Sequence, residues 1–196
     1  MLVADRDGDK GFHPVSLEAL ARARGSTFQP FPPRNTWYTF DFSTNRLPTA
    51  DQVRQAIAEQ VDAMLHPPIQ NLGVAGIRKA AQMLPRWPAS MDEEALRMAL
   101  FNGLLFIDAT GGTGGGLFRF MFGRFLLEAA AITGEKGLEE SAAEFAHLGD
   151  RWQVAARAFQ AAAGAPDPAA AMLEIPPLLH ELHALEGAAW QKLGER

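Results

Sequence analysis

Five of the seven residues in Thr110–Gly116 are glycine, and long apolar segments with helical spacing flank this stretch on both sides. Glycine in such density either lets two helices meet at a sharp angle or brings backbone N–H groups close to a ligand. No Lys-Ser/Thr pair follows, so the stretch is not a phosphate-binding P-loop. No clear strand precedes it and no acid follows at the required distance, so a dinucleotide fingerprint is unsupported. The stretch is therefore expected to be a tight joint between two buried helices, with ligand binding as the competing reading.

The remainder of the chain supports a helical reading. Thr49 and Gln52 form a capping-box pattern ahead of a stripe at Val53, Ile57, Val61 and Met64, which His66-Pro67-Pro68 ends. A second helix spans Val74 to Leu84. A third opens at Ser90 with Glu93 as a capping box and runs to Asp108; Phe101, Leu105 and Phe106 on its further sides predict deep burial of its second half. Leu117 to Thr133 is the most apolar helix. Between about Glu135 and Ala163, Leu138, Ala142, Phe145, Gly149, Trp152, Ala156 and Phe159 recur at alternating spacings of four and three. That is a seam against a partner helix, either within the domain's own core or in a homodimer. A last helix begins near Pro176-Pro177, with Leu178, Leu182, Leu185, Ala189 and Leu193 on one stripe.

The N-terminal quarter differs. Leu2-Val3-Ala4 reads as a short strand, and Leu17–Arg24 as a short helix closed by Gly25. From Ser26 to Pro48 four prolines block regular pairing, while Phe28, Phe31, Trp37, Tyr38, Phe40 and Phe42 concentrate here. Trp37–Phe42 alternates like a strand, and aromatics on such an arm are expected to pack it against the domain it wraps. The fold class is thus mainly α: a bundle of about five to six helices with a short N-terminal strand and an extended aromatic, proline-rich arm. Residues 1–48 form the strand, short helix and arm; residues 49–196 form the helical domain.

Composition narrows the chemistry. The 196 residues contain no cysteine, which excludes disulfides, thiolate metal sites and cysteine nucleophiles within the chain. The net charge is −5, and the acidity is concentrated in residues 128–196, with 11 acids against 5 bases, so nucleic acid is not an expected partner. Asp108, Arg119 and Arg124 interrupt the most apolar stretches before they reach membrane-spanning length, and Met1–Asp5 is not a signal peptide. A cytoplasmic protein is expected, with no membrane contact.

Several constellations resemble metal sites and fail on spacing. Asp5, Asp7 and Asp9 suggest a calcium loop, but Lys10 stands where the loop needs glycine and Ser16 where it needs a bidentate Glu. His180 and His183 are three apart, not four with the zinc-protease Glu between. Glu144 and His147 form a single Glu-x-x-His where a di-iron bundle needs two. Neither a metal nor a cofactor is expected.

Charge at the ends of the glycine stretch carries more information. At about 100° per residue, Arg124 and Glu128 share a solvent-facing side, while Arg119 lies nearly opposite, beside Gly123, Leu126 and Ala130. A guanidinium there is buried and must be paired. It also sits in a first helical turn, where the dipole disfavours cations, and Asp108 is an acid at a helix C-terminus. Pairing Asp108 with Arg119 would offset both. In the alternative reading Arg119, Asp108 and the loop residues Gly112, Thr113 and Gly114 hold a carboxylate or phosphate, and the chain is a stand-alone enzyme or an anion-binding protein.

Asn71-Leu72-Gly73-Val74-x-Gly76-Ile77, Gly112-Thr113-Gly114-Gly115-x-Leu117-Phe118-Arg119, Phe125-Leu126-x-Glu128-Ala129 and Trp152 together resemble the helical C-terminal module of proteins similar to butirosin biosynthesis protein H. Ser16-Leu17-Glu18-x-Leu20-x-x-Ala23-Arg24 resembles the segment that joins that module to a preceding papain-like domain. The resemblance implies a secondary-metabolism acyltransferase that moves an acyl group from a carrier-protein thioester to an amine with Cys, His and Asp. It implies an acyl carrier protein or a small amine as partner, and it matches Asp5 alone to the triad, as its acid. An Asp orients a histidine and cannot by itself transfer an acyl group. On this resemblance the chain is expected to be a non-catalytic module, a truncated product or a fragment, with residues 1–48 as the junction to the papain-like domain.

Overall fold

The computed structural model describes residues 2–4, 12–29, 32–43, 46–109 and 115–196. Asp5, Gly112, Thr113 and Gly114 lie outside the described residues, as do the other members of the calcium-like pattern before Phe12. The chain divides into two compact units, Met1–Leu47 and Pro48–Arg196.

In the first unit β1 (Leu2–Ala4) pairs antiparallel with β2 (Phe12–Pro14). Helix α1 (Leu17–Arg24) follows, its first turn capped by the Ser16 hydroxyl, which accepts from the Ala19 N–H. The aromatic arm departs from expectation. Trp37–Phe42 forms no strand, and Phe28, Trp37, Tyr38, Phe40 and Phe42 are all exposed. Local contacts organise part of it: the Arg24 guanidinium lies over the Trp37 ring, and Phe40 stacks on Phe42. With four prolines in the stretch, the backbone has too few pairing groups in register to form a ladder.

The second unit is the helical domain. α2 (Ala50–Leu65) starts at the capping box, with both reciprocal bonds of Thr49 and Gln52 formed. α3 (Gly73–Met83) runs into a 3₁₀ turn, Leu84–Ala89, that contains Pro85 and Pro88. α4 (Glu93–Ile107) is capped by Asp92, whose carboxylate accepts from the Ala95 N–H. The expected Ser90 cap is corrected: Ser90 closes the 3₁₀ turn by donating to the Trp87 carbonyl. α5 (Gly116–Thr133), α6 (Gly137–Gly164), the single turn α7 (Pro168–Ala171), a 3₁₀ turn (Met172–Glu174) and α8 (Ile175–Gly194) complete the unit. The fold is mainly helical, and among the described residues no helix is long and apolar enough to cross a membrane.

α6 is the axis. Its 28 residues span roughly 42 Å at 1.5 Å per residue, enough to receive two partner helices in succession. Gly103 of α4 faces Phe159, and Asp108 and Gly116 both lie beside Gln153; further on, Gly123 of α5 faces Ala142. α4 and α5 therefore run the same way, one after the other, both antiparallel to α6. The expected joint between crossing helices is corrected to an interruption between two helices that share one partner. α5 approaches α6 closely because glycines face the contact. A Cβ on Gly123 would come within 2.9 Å of the Ala142 carbonyl oxygen, and one on Gly149 within 2.7 Å of the Phe120 ring.

Every member of the α6 seam is buried, in this domain's own core. That core has two parts. One gathers Val53, Ile57 and Val61 of α2, Leu126 of α5, Leu138 and Phe145 of α6, and Trp190 and Leu193 of α8. The other gathers Ile77 of α3, Leu96 and Leu100 of α4, Trp152 and Phe159 of α6, and Leu179 and Leu182 of α8. The second half of α4 is less buried than its composition predicts: Phe101, Leu105 and Phe106 are exposed, because α6 takes only the Leu96–Leu100–Gly103 face.

Gly115 and Gly134 provide a contrast that can be measured. Both have positive φ, at +51° and +76°. A Cβ on Gly115 would meet the Ile107 carbonyl oxygen at 2.7 Å, whereas one on Gly134 would have no atom within 4 Å. Gly134→Ala is expected to cost about 1–2 kcal/mol, the left-handed penalty alone. Gly115→Ala adds a clash with backbone and should cost about 3 kcal/mol or more. Urea unfolding of the two variants checks the difference.

Candidate functional site

The apolar stripe of α8 contains an acid. Its buried positions run Ile175, Leu179, Leu182, Glu186, Ala189 and Leu193, spaced four, three, four, three, four. Glu186 therefore occupies a core position, and it is fully buried, at 0 % exposure. Removing a carboxylate from water costs several kcal/mol unless donors replace the lost hydration. Three donors do so here. Oε1 accepts from the Arg119 Nε–H at 2.5 Å and from the Trp152 indole N–H at 2.7 Å. Oε2 accepts from the Trp190 indole N–H at 2.8 Å.

The three donors come from three helices. Arg119 is on α5, Trp152 on α6 and Trp190 on α8, one turn beyond Glu186 itself. Trp190 belongs to one part of the core and Trp152 to the other, so Glu186 sits where the two parts meet. Aromatic contacts brace the cluster: Phe145 stands edge-on to Trp190 with centroids 4.6 Å apart, and Phe122 is edge-on to Phe145 and tilted against Trp190. The Arg119 guanidinium carbon lies 5.7 Å from the Trp190 ring centroid, within cation–π range.

The placement of Arg119 matches the sequence argument in burial and differs in partner. Its side chain is only 14 % exposed and is ion-paired, but the acid set against it is Glu186, 67 residues further on, rather than Asp108. Asp108 is the C-cap of α4. With its amide nitrogen turned toward the carboxylate, Gln153 donates to Asp108 Oδ1 at 2.7 Å and accepts from the Ala109 N–H at 2.8 Å. This clasp holds the end of α4 on α6. Arg124 and Glu128 are both exposed, on the side expected for them.

Arg119 also lines a cleft of about 420 Å³ with Gln60 of α2, Phe118, Met121, Phe122 and Phe125 of α5, and Trp190 of α8. The floor is thus a guanidinium braced from behind by Glu186, and the walls are aromatic. Among the described residues the two terminal nitrogens of Arg119 have no hydrogen-bond acceptor. One member of each metal-like pair has another partner: the His183 ring hydrogen-bonds the Val74 carbonyl, and Glu144 pairs with Lys192.

Sequence reasoning found Arg119 and missed Glu186, Trp152's donor role and Trp190. The signal for Glu186 was present as an acid four residues after Leu182 and three before Ala189. The stripe read from the sequence shares Leu182, Ala189 and Leu193 with the buried one and differs by one residue at two places, Leu178 for Leu179 and Leu185 for Glu186.

A family model described as "Domain of unknown function (DUF4872)" matches residues 18–193, and the chain belongs to that family. No curated protein and no solved structure matches it.

The network makes a stability prediction. Glu186→Ala strands a guanidinium and two indole N–H groups and should cost about 3–5 kcal/mol, with Arg119→Met of similar size. The double variant is expected to fall short of the sum by more than about 1 kcal/mol, because each change removes the same interaction. Chemical denaturation of the four proteins in the cycle checks this.

Proposed function

We propose that this member of the DUF4872 family is a non-catalytic helical module that supports a butirosin-H-like acyltransferase, contributing to substrate binding or assembly. The single observation that supports the reading is how its buried charge is used. Glu186 is occupied by three donors, and Arg119 is held by one nitrogen while its side chain floors a cleft. A guanidinium fixed in this way recognises an anion, but it keeps its proton and offers no nucleophile.

Thioester acyl transfer of the kind the resemblance implies runs through a thiolate, and the chain has no cysteine. In this proposal the nucleophile and its histidine come from a papain-like domain, and Asp5 contributes the acid of the triad by resemblance. An acyl carrier protein or a small amine is the partner that the resemblance supplies. The second reading, an anion-binding protein acting alone, is favoured by one specific observation: the terminal nitrogens of Arg119 lack an acceptor among the described residues.

The test pairs two measurements. Incubated alone with an acyl thioester and an amine acceptor, the chain is expected to give no transfer above the buffer rate. Added to a separately produced papain-like domain of that acyltransferase type, it should raise transfer at sub-saturating substrate by about tenfold, a difference of about 1.4 kcal/mol. Turnover by the chain alone overturns the proposal, as does a papain-like domain indifferent to it.

A further inference from the structure

Among the described residues of the helical domain, a buried charge, donors without an acceptor and exposed apolar surface coincide in the cleft over Arg119. We infer that it is a site for a small carboxylic acid with an apolar, ring-sized body, the carboxylate on the Arg119 guanidinium and the body against Phe118, Phe122 and Phe125. This rests on the reading of the chain as a binding module and narrows it to a ligand class.

The head group follows from the donors. Glu186 takes the Nε–H, which leaves four N–H bonds on two terminal nitrogens with no acceptor among the described residues. Among the described residues only Ser141 Oγ is a buried side-chain atom without a partner, so an acceptor at these two nitrogens takes the place of solvent. The outer edge of a guanidinium presents two parallel N–H groups, the spacing that a carboxylate accepts bidentately. Charge selects a monoanion over a phosphate dianion. Glu186 already balances one unit of positive charge, and among the described residues no second cation lines the cleft. With that pair neutral, a carboxylate adds one negative charge and a phosphate dianion two, and the second has the higher desolvation cost in a site walled by phenylalanine.

The body follows from the walls. Phe118 and Met121 are about half exposed at the mouth, apolar surface that stays in water without a ligand. Covering it is favourable at roughly 25 cal/mol per Å². At about 420 Å³ the cleft falls in the lower part of the range for small-molecule sites, about 300–1,000 Å³. Gln60 adds one amide that can meet a second polar group on the ligand. The rigidity comes from behind: with Nε bound to Glu186 and the guanidinium near the Trp190 ring, Arg119 is oriented before any ligand arrives.

The test is a titration of the ¹⁵N-labelled full chain with 3-phenylpropionate, read at the Trp190 indole N–H. That group donates to Glu186 Oε2, and its ring lines the cleft. A saturable shift with a dissociation constant of about 0.1–1 mM is expected for a ligand of this size. The uncharged 3-phenylpropan-1-ol should bind at least about tenfold more weakly. Phe118→Glu, at the half-exposed mouth and outside the Glu186 network, should keep the wild-type unfolding midpoint and weaken 3-phenylpropionate by about tenfold or more. Inorganic phosphate should not displace the acid. Absence of a saturable shift, equal binding of the alcohol, indifference to Phe118→Glu, or displacement by phosphate would each overturn the assignment. These outcomes are independent of the acyl-transfer assay: turnover by the chain alone sinks the module reading and leaves a carboxylate site standing.

Discussion

Glu186 is the group on which the arrangement of the helical domain depends. A carboxylate at a core position of α8 is tolerated only where enough N–H donors converge on it. Satisfying it requires Trp152 of α6, Trp190 of α8 and Arg119 of α5 at hydrogen-bond distance of two oxygens at once. Apolar packing alone would accept several registers of α8 against α6, since both helices carry stripes of alternating four and three. The carboxylate accepts one. It also lies between the two parts of the core, so the register that satisfies it is the register that seats Trp190 with Phe145 in one part and Leu182 with Trp152 in the other.

The same interaction links fold to binding. Arg119 would be costly in the first turn of an apolar helix, against α6 and near a helix N-terminus. Glu186 removes that cost and fixes the orientation of the side chain, so a residue required by the core also forms the floor of the cleft. The glycines of the α5–α6 contact serve the same end. By letting α5 lie close to α6, they bring Arg119 within reach of an acid on α8. The interruption between α4 and α5 has a related role. Two helices pack in succession along α6, and Asp108, Gln153 and Gly116 mark the point where one gives way to the other.

The readings that failed share a physical cause. Local patterns located helices well: the Thr49–Gln52 capping box, the α6 seam and the apolar helix ending at Thr133 are set by neighbouring residues. Ser90 was outcompeted as a cap by Asp92, two residues on, because either side chain could reach a free N–H and only the path of the 3₁₀ turn selects between them. Phe101, Leu105 and Phe106 were expected inside because they are apolar, but a helix that meets one main partner buries one face.

The sequence by itself determined that this is a helical domain, where most helices begin and end, that α6 carries a continuous buried seam, and that Arg119 is a buried cation in need of an acid. Each of these follows from spacing along one helix, which 3.6-residue periodicity makes readable. The tertiary structure decided which acid answers Arg119, that α4 and α5 share one partner helix, and that a cleft opens where α2, α5 and α8 meet. Those facts depend on residues from about 20 to 130 positions apart, whose meeting is set by helix packing and not by any local pattern. Glu186 marks the boundary between the two. Its spacing in the α8 stripe was legible as a core position, but only the three donors gathered around it show why an acid stands there.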